Sequence, residues 1–208
     1  MSFIIGVCGG SCGGKTTICD IIKAKLGDNV AIIKQDSYYK GGGPSTNFDH
    51  PDAIEFSFMI DQLKKLSSGT PIKEPIYDFE THSRKKETQY IKPAKIIIVD
   101  GILIFSKQEL LDLFDLRLYV DADMDTRYRR RLNRGIKEWH RNIDEIDMRW
   151  DRDVKPCHLK YVEPSKCHAH IIINNDKTNS LKQRTQMIQI EIIETYIEDY
   201  IRKLTETE

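Results

Sequence analysis

The chain has 208 residues, enough to bury one substantial core, and reads as a single domain with room for a small excursion. Lysine plus arginine and aspartate plus glutamate each number 32, so the net charge is zero and a broad electrostatic footprint for nucleic acid is not expected. Five cysteines at no framework spacing read as reduced thiols of a cytoplasmic protein, and no apolar run approaches membrane-spanning length, so no membrane partner is expected either.

In chain order, Phe3 to Cys8 is an apolar run of strand length, and Thr17 to Leu26 carries apolar residues at helical spacing. Between them lies Gly9-Gly10-Ser11-Cys12-Gly13-Gly14-Lys15-Thr16, which fits G-x-x-x-x-G-K-[ST] at every fixed position. Val30 to Lys34 reads as a second strand, followed by a polar loop from Gln35 to His50. A helix is expected from Pro51, with an apolar stripe of Ile54, Phe58, Ile60, Leu63 and Leu66. Ile72 to Phe79 and Glu87 to Ile91 form a hairpin-like excursion over about 72–93, expected to pack on the edge of the main domain.

The run Lys95 to Asp100 is β-branched throughout and closes on an acid, as a strand buried on both faces of a parallel sheet does. A short helix around Gln108 to Phe114, a strand over Leu116 to Asp121 and a charged helical stretch from Met124 to about Trp150 follow. His170 to Asn174 is the last strand and Leu181 to Leu204 the closing helix. Strands alternating with helices predict an α/β doubly wound fold of the P-loop NTPase kind, with a mostly parallel sheet.

The chemistry follows from what a polyphosphate needs. Backbone N–H groups of Gly9 to Thr17 and the positive end of the following helix would cradle the phosphates of ATP. Lys15 would reach the β- and γ-phosphates, and Thr16 with Asp100 would hold Mg²⁺. Asp100 is followed at once by Gly101, so the D-x-x-G of a GTPase switch is absent, and no N-K-x-D selects guanine. Asp36, just past the second strand, reads on its own as a loop or capping residue before it reads as a base orienting an acceptor hydroxyl. Tyr77 and Phe79 read as same-face strand residues and His82 as a solvated loop histidine. Arg127, Arg130, Arg131 and Arg134 share one helix face, which suits a lid over transferring phosphates, a solvated face or an RNA stripe. The adjacent pairs Cys157-His158 and Cys167-His168 lack the spacing of a zinc site. Cys12 sits at a helix N-terminus, where thiols become more acidic.

Five motifs in order decide among these readings. Asp36-Ser37-Tyr38-Tyr39, Asn47 to Ala53, Pro75 to Phe79 with His82 and Arg84, Asp100 to Leu103, and Glu163 to Lys166 before His170 to Ile173 resemble the uridine/cytidine kinases over about residues 3–175. The resemblance implies transfer of the ATP γ-phosphoryl group to the 5′-hydroxyl of a pyrimidine ribonucleoside. It implies Asp36 as the catalytic base, with Lys15, Arg131 and Arg134 on the phosphates, the last two from a lid over about 124–150. It implies Asp49 as the ribose grip, Tyr77 and His82 as readers of the pyrimidine edge, Phe79 against the base, and Tyr39 and Arg141 beside the nucleoside. The adenine would lie near Asn174 to Lys177, and a homo-oligomer, tetramer or dimer, with feedback by CTP is implied.

The chain departs from that pattern in several places. It has Arg134-Gly135 and Trp139-His140-Arg141 where these kinases carry arginine-aspartate and arginine-glycine-arginine, and Arg149 where a glutamine contacts the nucleoside. Gly13, Asp100 and His170 replace a serine, a glutamate and an aspartate. Gly135 costs helix stability and suggests a hinge. A kinase for another small alcohol and a non-catalytic nucleotide-dependent binding protein are the rival expectations.

Overall fold

The computed structural model describes residues 1–43, 45–176 and 180–206. Seven strands form in chain order: β1 Phe3–Cys8, β2 Val30–Lys34, β3 Ile72–Asp78, β4 Ser83–Ile91, β5 Ile96–Asp100, β6 Leu116–Asp121 and β7 Ile171–Asn174. Five of them make one sheet in the order β2-β5-β1-β6-β7, every pairing parallel, while β3 and β4 form a separate antiparallel hairpin. The helices are α1 Lys15–Leu26, α2 Phe56–Ser67, α3 Gln108–Leu111, α4 Met124–Lys137, α5 Ile143–Arg149, α6 Lys155–Cys157 and α7 Ser180–Glu206.

The period of two along the strands divides the core. Phe3, Ile5, Val7, Ile96 and Ile98 face one side with Ile18, Ile22, Ile193 and Ile197 of α1 and α7. Ile4, Cys8, Ile97 and Val99 face the other, against Met59, Leu63 and Leu66 of α2 and Phe105, Leu110 and Phe114. All five residues of β5 are buried, as a strand covered on both faces requires. Since β1 lies between β5 and β6, the loops leaving β1 and β5 open into the crevice at the carboxyl edge where the strand order reverses.

Four expectations shift. Pro51–Ala53 is only a 3₁₀ turn, because Ile54 is extended and bridges to Tyr39, and α2 starts at Phe56. The second hairpin strand starts at Ser83 rather than Glu87, since Ser83 and Arg84 already pair with Asp78 and Tyr77. The hairpin is more than an edge attachment: Ile72, Tyr77 and Ile91 enter the main core, and the buried Glu74 carboxylate accepts the Lys34 N–H at 3.0 Å. Residues 151–168, to which the sequence assigns no element, are helical except for a turn at Glu163, with π-helical turns at Trp150–Val154 and His158–Val162 around α6. Pro156 has no N–H to give to the preceding turn, and the widened turn accommodates it.

Candidate active site

The phosphate loop joins β1 to α1. Gly14 caps α1 with φ +98°, and a Cβ there would lie 2.0 Å from Asn175 Nδ2, so glycine is required on both counts. The same Asn175 amide donates to the Gly13 carbonyl at 2.6 Å, which fastens the loop to the end of β7. Lys15 is buried and its Nζ donates to the Gly10 carbonyl at 3.2 Å, the short-range partner of a cation placed over the loop. Thr16 Oγ1 donates to Asp100 Oδ2 at 2.7 Å across the crevice. Two hard oxygen donors side by side, next to a nest of amides, fit Mg²⁺ bound to a polyphosphate. Among the described residues no cluster of three or more His, Cys, Asp or Glu could hold a metal.

Asp36 stands on the 3₁₀ turn Gln35–Tyr38 that ends β2, reachable by solvent but surrounded by the crevice. Gln35 anchors that turn, its buried side-chain carbonyl accepting the Leu103 N–H at 2.7 Å. Desolvation and the Asp100 and Asp49 carboxylates push Asp36 up to about 6, against the pull of Lys15 and Arg134. A carboxyl poised there is a base at neutral pH and is adjacent to the phosphate side of the crevice. Tyr39 keeps its proton because it is buried, because Asp36 and Asp49 lie near, and because its hydroxyl bonds Asp36. Asp49 is half-buried, its carboxyl raised by desolvation and drawn back by Arg131.

The hairpin closes the other wall. Tyr39, Phe48, Tyr77 and Phe79 make a chain of ring contacts, 5.3 Å from Tyr39 to Phe48, 5.2 Å from Tyr39 to Tyr77 and 5.3 Å from Tyr77 to Phe79. His82, at φ +52°, stacks on Phe48 with centroids 5.0 Å apart, and its pKa is lowered by desolvation and by Arg149 and Arg141. The Tyr77 hydroxyl is buried without a hydrogen-bond partner among the described residues, and burial raises it to about 12. Phe79 is half exposed at the mouth. Arg84 stays out of the pocket, fixing the hairpin to Glu55 at 2.6 Å and to the Tyr38 carbonyl at 2.9 Å.

The arginine face of α4 divides by depth. Arg127 is buried, donating to the Ala122 carbonyl at 3.1 Å and lying over the Trp150 ring. Arg130 reaches the Cys12 and Gly13 carbonyls at 3.4 and 3.3 Å and the Asn175 carbonyl at 2.7 Å. Arg131 donates to Ser11 Oγ at 3.2 Å, and Arg134 pairs with Glu138 at 2.9 Å. Glu145 is shared by Arg141 at 3.6 Å and the buried Arg149 at 3.2 Å, both beyond the end of α4. Ser11, Cys12, Thr17, Gly9 and Gly10 lie in or beside the loop as the motif places them, Thr17 exposed and Cys12 at φ +60°. Of the segment 174–177, Lys177 lies outside the described residues.

Sequence reasoning gave no role to Phe48 or Gln35, and it placed Arg130 on the arginine face and Asn175 near the adenine without their contacts to the phosphate loop. Phe48 sits inside a quoted motif next to Asp49, and its aromatic character was the available signal. The other three act through contacts between distant segments, which no local pattern encodes.

Comparison with known proteins gives the family. The model of the phosphoribulokinase / uridine kinase family matches residues 4–182. A protein named uridine kinase from Clostridium tetani is 38% identical over 96% of both chains. Another so named, from Clostridium novyi, is 42% identical over 86% of this chain and 89% of its own length. Among solved structures, one titled a possible uridine kinase from Bacillus stearothermophilus superposes with a TM-score of 0.62 at 16% identity, covering 82% of this chain and 88% of that one. Phosphate loop, crevice carboxylates and sequence match together place the chain in the phosphoribulokinase / uridine kinase family.

Proposed function

We propose that the chain is a uridine kinase that moves the ATP γ-phosphoryl group to the 5′-hydroxyl of uridine or cytidine. The observation that carries the reading is the placement of Asp36 beside Lys15, Asp100 and Asp49, with the Tyr39 hydroxyl bonded to it, where the phosphate loop meets the aromatic wall. Relatives named uridine kinase, matching most of the chain at 38% and 42% identity, support the acceptor.

In this reading the amides of Gly9 to Thr17 bind the phosphates and Lys15 bridges them. Thr16 and Asp100 would hold Mg²⁺, which when bound draws negative charge from the phosphoryl oxygens. Asp49 accepts from the ribose diol, and Tyr77 and His82 meet the polar edge of the base while Phe79 and Phe48 flank it. Asp36 orients the 5′-hydroxyl in line and takes its proton as the new bond forms. Arg131 and Arg134 neutralise the transferring group, and Arg141 and Arg149 line the nucleoside end through Glu145.

Turnover of ATP with uridine, cytidine, a purine nucleoside, a sugar phosphate and glycerate tests the acceptor. Turnover of uridine or cytidine above the others is expected; turnover confined to another alcohol overturns the reading. The five reduced cysteines fit a cytoplasmic location. The exposed Met187, Ile188, Ile192 and Tyr196 of α7 support self-association as dimer or tetramer, which sedimentation measures.

A further inference from the structure

Three guanidinium groups surround one indole at the end of α4. The guanidinium carbons of Arg131, Arg134 and Arg141 lie 5.5, 5.0 and 5.5 Å from the Trp139 ring centroid. Backbone geometry brings them there. The Glu138 and Trp139 N–H groups both donate to the Arg134 carbonyl, at 2.9 and 3.3 Å, and the Arg141 N–H donates to the Gly135 carbonyl at 3.0 Å. His140, at φ +51°, reverses the chain so that Trp139 folds back over the last turn of the helix.

Gly135 belongs to the same arrangement. It is buried, and a Cβ there would come within 2.4 Å of Ile146 Cδ1 and 3.8 Å of Trp139 Cε3. The glycine is therefore a close-packing position between α4, α5 and the indole, which accounts for it without a hinge.

Like charges gathered this closely repel, and the acids beside them are few. Glu138 pairs with Arg134 and Glu145 with Arg141, while Arg131 is bonded to the neutral Ser11 hydroxyl and has Asp49 near it. The electron-rich face of the indole offsets part of the repulsion and gives three flexible side chains a common, preferred position. Two of the three are the residues assigned above to the transferring phosphoryl group.

We infer that Trp139 is a positioning residue for phosphoryl transfer: its ring holds Arg131, Arg134 and Arg141 together beside the phosphate loop, so that they are already gathered when the nucleotide arrives. The inference rests on the kinase reading for its catalytic consequence and on the ring geometry alone for its binding consequence. Preorganised cations contribute to the transition state more than to ground-state binding of the nucleoside.

The test separates π-face from bulk. Trp139→Phe keeps an aromatic face and Trp139→Leu keeps only apolar volume. With saturating ATP and uridine, the Leu variant is expected to lose about tenfold in kcat with uridine KM changed less than about threefold, and the Phe variant to stay within about threefold of wild type in both. Equal impairment of the two variants, or wild-type kcat in Trp139→Leu, overturns the inference. A second readout needs no turnover: ATP titrated into the wild-type protein should shift tryptophan emission as the guanidinium groups turn toward phosphate, and the shift should be missing in Trp139→Phe, which retains Trp150. A shift of the same size in both proteins, or in neither, counts against Trp139. Failure of uridine to turn over in wild type, with the emission difference intact, faults the acceptor assignment and leaves the positioning role standing.

Discussion

Asp36→Asn should abolish most turnover and at the same time make the protein more stable. The side chain keeps its shape and loses its charge, so the base is removed while the crevice is relieved of one of three neighbouring carboxylates, Asp36, Asp49 and Asp100. A carboxyl raised from 3.8 to about 6 is disfavoured in its charged form by about 3 kcal/mol in a dry site. Solvent reaches Asp36, and screening leaves about 1 kcal/mol. Because the folded pKa is the higher one, folding takes up a proton between 3.8 and about 6, and wild-type stability falls as pH rises through that window. Above about pH 6 the carboxylate is a net cost, which the amide removes; below about 4 both forms are neutral and the difference vanishes.

Thermal unfolding at pH 7.5 should therefore place Asp36→Asn about 2–4 °C above wild type, with the gap closing toward pH 4. In the same preparations kcat should drop about 10²–10⁴-fold, with ATP affinity retained. The wild-type kcat/KM should fall tenfold per unit below about pH 6, and the residual rate of the variant should lack that limb. Turnover of Asp36→Asn within threefold of wild type refutes the base. A variant less stable than wild type at pH 7.5 refutes the electrostatic account, whatever its activity.

Two further outcomes follow from groups the site leaves exposed or unpaired. Tyr77→Phe removes a buried hydroxyl that has no partner among the described residues, so it should raise stability by about 1 kcal/mol in denaturant titrations. The same change should raise uridine KM about tenfold if that hydroxyl meets the base; lower stability with unchanged KM speaks against its role. Cys12, partly exposed in the phosphate loop, should be alkylated by N-ethylmaleimide with loss of activity, and ATP should protect it; equal labelling with and without ATP counts against a bound triphosphate there.

The sheet was legible because its signals are local. An unbroken β-branched run such as 96–99 has to be covered on both faces, and a phosphate loop between a strand and a helix locates the crevice. The hairpin's second strand was harder, because Ser83 to Lys86 are polar and gain their pairing only from Asp78 and Tyr77 across the turn. Residues 151–168 were illegible for a different reason: Pro156 and Pro164 break the helical template, and the π-helical turns that absorb the first of them have no sequence period. In the site, residue types and motif order singled out Asp36, Asp49, Tyr77 and His82, which the fold brings to one crevice. The elevation of Asp36 was out of reach, since it depends first on desolvation in the crevice and then on carboxylates brought in from β5 and from the loop before α2.

The arginine face shows where spacing stops carrying information. A separation of three, four and seven residues puts Arg127, Arg130, Arg131 and Arg134 on one side of α4, and they are there, but the face runs from the core to solvent. A Cβ on Gly10 would meet Arg127 Nη1 at 2.6 Å, so the first turn of α4 is packed directly against the phosphate loop. Arg130, a turn further on, holds the Gly13 and Asn175 carbonyls. Swinging the whole helix as a lid would break those bonds and strip a buried guanidinium of its cover, at a cost of several kcal/mol. In the proposed kinase, closing on a nucleotide is therefore confined to the end of α4 beyond Arg130, the Trp139 turn and α5. That is the stretch in which Arg131, Arg134 and Arg141 share the indole. In the proposed kinase, closure then brings Arg131 and Arg134 from the ring to the phosphates and keeps Arg141 at the nucleoside end, over a helix whose first half packs against the phosphate loop.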